Sequence, residues 1–140
     1  VPVASGGGAY VTVRSADKEN VVPIVKELLE LGFKVHCTPG TADVMRRHGL
    51  GVQTAYRITE KQQPDALNLM RKNEIQFIIN IPTTSGGAVR DGNMMRRLAV
   101  ELNIPFVTTL SGAKAEVSAI RAQRRGPLIP QRLKVTYLKD

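Results

Sequence analysis

Short apolar runs alternate along this chain with segments whose apolar residues recur at the three-to-four-residue spacing of a helix face. That alternation predicts repeated β-α units. A first strand is expected at about Ala9–Arg14. The helix after it carries Val21, Ile24, Val25, Leu28 and Leu29 inward, starts near Asn20 with Pro23 in its first turn, and stops at Gly32. Phe33–Cys37 reads as the second strand. Gly40 or Thr41 then opens a short helix through Arg47, stopped by Gly49. Val52–Thr54 is a brief third strand. Pro64 opens a helix with Leu67, Leu69 and Met70, or these and Ile75, as its apolar side and Asn73 as its stop. The largely apolar run Ile75–Asn80 suits a central strand covered on both faces. Asp91 or Asn93 caps the next helix, with Met94, Met95, Leu98 and Leu102 inward. Ile104–Val107 is a fifth strand, and Ser111 caps a helix running towards Gln123 with Val117 and Ile120 inward. Beyond a break at Gly126–Pro130, Leu133–Leu138 reads as a final edge strand. Residues 1–8 read as a linker or boundary, and residues 9–140 as a single domain. The expected architecture is a three-layer α/β/α sandwich with a mainly parallel sheet.

In an open parallel sheet the carboxyl ends of the strands share one edge, and ligands bind in the crevice there. Here the strand-like runs lead into polar turns: Arg14-Ser-Ala-Asp-Lys18, Thr38-Pro-Gly-Thr41 and Ile81-Pro-Thr-Thr-Ser-Gly-Gly87. Lys18, Thr38, Thr41, Asn80, Thr83 and Thr84 are therefore expected to converge, although they are far apart in sequence. A cation, several hydroxyls and helix N-termini suit an oxyanion, most simply a phosphate. Gly40 lets backbone approach a ligand, and Arg57 offers a second cation, with Tyr56 beside it as a stacking face. Asp91 is able to accept hydrogen bonds from a ligand, although capping a helix is the commoner use of such a residue. Taken singly, Lys18 reads as a solvated lysine, and the Thr38–Thr41 turn divides evenly between an ordinary cap and a ligand site.

Charge adds a second theme. Net charge is +8 over 140 residues, and Arg121, Arg124, Arg125, Arg132, Lys134 and Lys139 crowd the carboxyl-terminal stretch. Nucleic acid, a small anion and an acidic neighbouring surface all fit such a balance. The chain has no Trp and only three Tyr and three Phe, so it lacks the stacking platforms of single-strand binders, and no zinc-finger spacing occurs. Nucleic acid is thus disfavoured against a basic tail docking on another protein or a solvated basic surface. No apolar run is long enough to span a membrane. The sole cysteine, Cys37, permits no disulfide within the chain and fits a reducing, cytoplasmic location as a small buried hydrophobe. His36 and His48 read as satisfied structural histidines. With one cysteine they do not make a metal set, so no metal is expected. Arg96-Arg97 faces a partner or solvent, and Met45, Met70, Met94 and Met95 read as core filler. No nucleophile elbow or Walker phosphate loop is present.

Taken in order, Thr12-Val-Arg-Ser-Ala-Asp-Lys18, Leu31-Gly-Phe, Thr38-Pro-Gly-Thr41, Ile78-Ile-Asn80, Asp91 before Arg96-Arg97, and Ile104-Pro-Phe-Val-Thr-Thr109 resemble the methylglyoxal-synthase-like domain. Within that family the chain is most similar to the C-terminal allosteric domain of the carbamoyl phosphate synthetase large subunit. The resemblance spans roughly Ala9 to Ile120. It implies a five-stranded parallel sheet and a domain that binds an effector and does no chemistry itself. The implied effectors are the nucleotides UMP and IMP. Lys18, Thr38, Gly40 and Thr41 would hold the phosphate, with Arg57 where relatives often have a lysine. Thr12, Asn80, Thr83 or Thr84, and Asp91 would approach the sugar and base. The implied partners are the other domains of the large subunit and the glutaminase small subunit. The domain itself needs no cofactor, whereas the parent would use ATP, magnesium and potassium ions in carbamoyl phosphate synthesis for pyrimidine and arginine formation.

Two departures matter. The Glu60–Pro64 and Asn80–Asp91 segments look one residue longer than in many bacterial synthetases and resemble animal relatives that sense N-acetylglutamate; ornithine is a further candidate effector. The main alternative is an enzyme, methylglyoxal synthase, which needs a carboxylate base and an acid near the bridging oxygen. Glu60-Lys-Gln-Gln63 stands where that enzyme has Gly-Gly-Asp, and Arg90-Asp91 replaces its histidine before an aspartate. The Gly-Arg-Val-Lys-Thr-Leu-His stretch of the purine cyclohydrolase branch is missing. A docking module with an empty crevice is the remaining class.

Overall fold

A computed structural model describes residues 7–83 and 86–125. Within them lie β1 (Gly8–Val13), α1 (Lys18–Glu30), β2 (Lys34–Cys37), α2 (Pro39–Arg47), β3 (Gln53–Thr54), α3 (Ala66–Arg71), β4 (Phe77–Ile81), α4 (Gly86–Leu102), β5 (Phe106–Val107) and α5 (Leu110–Arg125). The strands form one five-stranded sheet in the order β3-β2-β1-β4-β5, and every pairing is parallel. The break at Gly126–Pro130 and the expected strand Leu133–Leu138 lie outside the described residues.

Side chains alternate across the central strands, so each strand feeds two cores. Val11, Val13, Val35, Cys37 and Ile79 pack beneath α1, α2 and α5, through Val25, Leu28, Met45 and Val117 among others. Tyr10 and Ile78 point to the opposite face, where α3 and α4 cover them with Leu69, Met70, Met95 and Ala99. The three-layer sandwich follows directly. Burial pushes the Cys37 thiol up to about 12, as suits a small hydrophobe rather than a nucleophile. Gly8 is needed where β1 begins, because a Cβ there would stand 1.8 Å from the Glu74 carbonyl oxygen.

Helix starts differ from the expectation. α1 begins at Lys18 rather than near Asn20, because a 3-10 turn at Ser15–Asp17 feeds it, and Pro23 falls in the second turn. α2 begins at Pro39, with Thr38 as N-cap. Asp65, not Pro64, starts α3, its side chain accepting from the Asn68 N–H at 2.9 Å. Thr109 rather than Ser111 caps α5, accepting from the Gly112 N–H at 3.0 Å. α4 begins at Gly86, so neither Asp91 nor Asn93 is its cap. Gly32, Gly49 and Asn73 do end their helices in the left-handed region, with φ of 92°, 79° and 62°.

Two expected core positions are exposed: Met94 and Leu102 both face outward from α4, as do Val89 and Val100. Part of the basic carboxyl-terminal cluster is structural rather than free. Arg121 Nε lies 2.6 Å from Glu27 Oε2, and Arg124 donates to the Leu31 carbonyl and stacks over Phe33. Arg96 likewise stacks over Phe106, 4.9 Å from the ring centre.

Candidate functional site

β1, β2 and β4 end side by side, and their last residues build a rim. Thr12 stands opposite Asn80 in the β1–β4 register. The Thr38 hydroxyl donates to Thr12 Oγ1 at 3.0 Å and lies 3.4 Å from Thr41 Oγ1. Thr41 in turn accepts from the Val13 N–H at 3.4 Å. These threonines are buried, so they brace the rim from beneath and tie β1 to the first turn of α2.

Lys18 and Gly40 form the lip above them. Lys18 Nζ donates to the Val13 carbonyl at 2.8 Å, which fixes the ammonium at the sheet edge. Its stem lies over Gly40, where a Cβ would stand 3.3 Å from Lys18 Cε and 3.7 Å from Nζ. The lip thus joins a cation to the N-terminus of α2, a nine-residue helix whose cap, Thr38, makes no side-chain hydrogen bond to the first-turn N–H groups. Burial holds the Lys18 pKa below the usual lysine range, and the positive charge of Arg57 lowers it further. Two cations repelling one another across a rim are what a bound anion would relieve.

Beside the lip, on the α3–α4 side of the sheet, Tyr10, Thr12, Arg57, Ile58, Asn80 and Asp91 line a pocket, with Ala66, Pro82 and Met95. Its cavity is about 10 Å³, or about 320 Å³ when the part open to solvent is counted. Arg57 leads into a 3-10 turn, Ile58–Glu60, where the Glu60 carboxylate accepts from the Arg57 N–H at 2.7 Å. Asn80 and Asp91 are both buried. α4 crosses close above Asn80, because Gly92 carries no side chain; a Cβ there would stand 2.8 Å from Asn80 Nδ2.

The family model of the MGS-like domain matches residues 20–108. The chain belongs to the MGS-like domain family. Among curated relatives, this domain is 42% identical over 123 residues to the carbamoyl phosphate synthase large chain, C-terminal section, of Methanocaldococcus jannaschii, covering 87% of this chain and 20% of that one. It is 39% identical over 129 residues to the carbamoyl phosphate synthase large chain of Synechocystis, covering 91% of this chain and 12% of that one. The chain therefore spans only about a fifth or less of these relatives. Among solved structures, "Crystal structure of ForH" superposes with a TM-score of 0.58 at 16% identity, covering 94% of this chain and 86% of that one. That likeness concerns the fold alone.

The MGS-like domain brings together Thr12, Lys18, Thr38, Gly40 and Thr41 at the lip, and Thr12, Arg57, Asn80 and Asp91 at the pocket. Thr12 belongs to both. Thr83 is exposed and is not among the pocket residues, and Thr84 lies outside the described residues. Tyr56 is not among the pocket residues; it pairs with Asp65 in an isolated bridge. The sequence alone does not mark Tyr10 or Gly92 as part of this site. Tyr10 is hidden there as one more member of an apolar strand, and nothing local marks Gly92 as lying against Asn80. Among the described residues no helix is long and apolar enough to cross a membrane, and no group of three metal-ligating side chains occurs.

Proposed function

We propose that this domain is the effector-binding, non-catalytic region of a carbamoyl phosphate synthetase large chain, and that it binds a phosphorylated nucleotide of the UMP or IMP type. The observation that carries the reading is Lys18, held at the β1 edge over Gly40 at the start of α2, with the Arg57 charge close enough to lower its pKa. A phosphate there would meet two cations and the positive N-terminal end of α2. The nucleoside would lie toward Thr12, Asn80 and Asp91. The absence of a Gly-Gly-Asp stretch at Glu60–Gln63 and of a histidine before Asp91 supports effector binding over phosphate elimination.

Regulation follows by linkage. An effector that prefers one arrangement of the domain against its neighbours shifts the synthetase between activity states, typically by about 1–3 kcal/mol. The partners on this reading are the remaining large-chain domains and the glutaminase subunit, in the cytoplasm. A thermal-shift panel of UMP, IMP, N-acetylglutamate, ornithine and inorganic phosphate tests it, because a ligand of the native state raises Tm. Stabilisation ranked UMP or IMP first supports the proposal. N-acetylglutamate ranked first would replace the effector, and no stabilisation by any phosphate would overturn it. Methylglyoxal production from dihydroxyacetone phosphate would overturn the non-catalytic assignment.

A further inference from the structure

Tyr10 is almost wholly buried, at 1% exposure, and its hydroxyl has no hydrogen-bond partner among the described residues. A phenol needs such a partner when it is taken out of water. A phenylalanine would pack the same face of β1 without leaving a polar atom unsatisfied. The ring lines the pocket beside the phosphate lip, together with Thr12, Asn80 and Asp91. The free depth of that pocket is about 10 Å³, the room of a single water-sized group. Burial, reinforced by the charge of Asp91, raises the Tyr10 pKa above the ordinary phenol value, so the group stays a hydrogen-bond donor.

We propose that Tyr10 is a specificity-determining residue whose hydroxyl donates to a hydroxyl of the sugar ring of a phosphate monoester seated at the Lys18–Gly40 lip. This rests on the effector reading given above. The Asp91 carboxylate on the same wall is a matching acceptor for the sugar's own proton. A hydroxyl is the size the cavity admits, whereas a nucleobase is not; the base is therefore left to the open part of the pocket. Ribose 5-phosphate and ribonucleoside monophosphates share this chemistry, and inorganic phosphate lacks it.

The test is Tyr10→Phe, measured by calorimetry with inorganic phosphate, ribose 5-phosphate and UMP, and by thermal melting without ligand. The expected result is a three- to tenfold loss for ribose 5-phosphate and UMP with phosphate affinity unchanged. The ligand-free variant should melt about 2–6 °C higher, because an unsatisfied polar atom has been removed. Equal affinity for the esters in both proteins, an equal loss for phosphate, or a lower ligand-free Tm would overturn the role of Tyr10 while leaving the lip intact. A wild-type protein that binds no phosphate and no ester would overturn the lip and Tyr10 together.

Discussion

Gly40→Ala separates binding from folding at the lip. Gly40 has ordinary helical backbone in the first turn of α2, so alanine introduces no conformational strain, and its higher helix propensity favours the fold by up to about 0.5–1 kcal/mol. The new Cβ, however, would stand 3.3 Å from Lys18 Cε, closer than the roughly 3.5–4.0 Å of an optimal carbon contact. Lys18 must retreat by a few tenths of an ångström, and the methyl group would occupy space an anion needs to approach the helix N–H groups. A hydrogen bond to a charged group contributes about 1.5–3 kcal/mol, and partial loss of one amounts to roughly tenfold in affinity. Calorimetry with UMP, paired with urea unfolding, reads both quantities. The expected outcome is weaker binding by about tenfold with an unchanged or higher denaturation midpoint. Undiminished affinity would refute the placement of the anion between Lys18 and α2. Weaker binding accompanied by a lower midpoint would refute the claim that Gly40 is there for the ligand.

Gly8→Ala should destabilise the domain by about 1–3 kcal/mol or more, because the Cβ would meet the Glu74 carbonyl oxygen at 1.8 Å and only backbone movement relieves it; the urea midpoint should fall with the slope unchanged. His36 is buried, with no partner for either ring nitrogen among the described residues, and burial, then the Lys34 charge, lowers its pKa while Glu74 opposes. The imidazole is therefore neutral in the fold and more basic when unfolded. Its contribution is fully present above the unfolded value of about 6.5 and is lost as pH falls through the lower folded value. Unfolding titrations should show stability falling on acidification in that window, and His36→Leu should flatten the slope; an unchanged slope would exclude His36 as its source.

The layers were legible because the apolar runs were. Phe33–Cys37 contains the observed Lys34–Cys37 strand and Ile75–Asn80 overlaps Phe77–Ile81, and Val21, Ile24, Val25 and Leu28 face the core as their spacing demands. The shared rim followed from topology once the sheet was parallel, which is why Lys18 and Thr41 were placed together although they belong to different units. Helix starts were misjudged where two cap candidates lay within a few residues. Thr38 and Thr41, or Thr109 and Ser111, carry the same local chemistry, and tertiary packing chooses between them. Gly86 and Gly87 read as the end of a polar turn from Ile81, yet α4 begins at Gly86 and carries Asp91 into the interior. The sequence reads His36 as a satisfied histidine, yet its ring nitrogens have no partner among the described residues; no sequence pattern reports that. The contact of Gly92 with Asn80 joins residues whose proximity exists only once α4 has docked on β4.

Effector binding by this domain depends, on the reading proposed above, on Lys18 gripping a phosphate. A calorimetric titration of UMP into the wild-type domain and into Lys18→Ala, at one ionic strength, tests it most directly. The expected result is saturable binding to the wild type and a loss of more than tenfold in the variant, with both proteins folded to the same extent. Equal affinities, or no binding to the wild type, would contradict it.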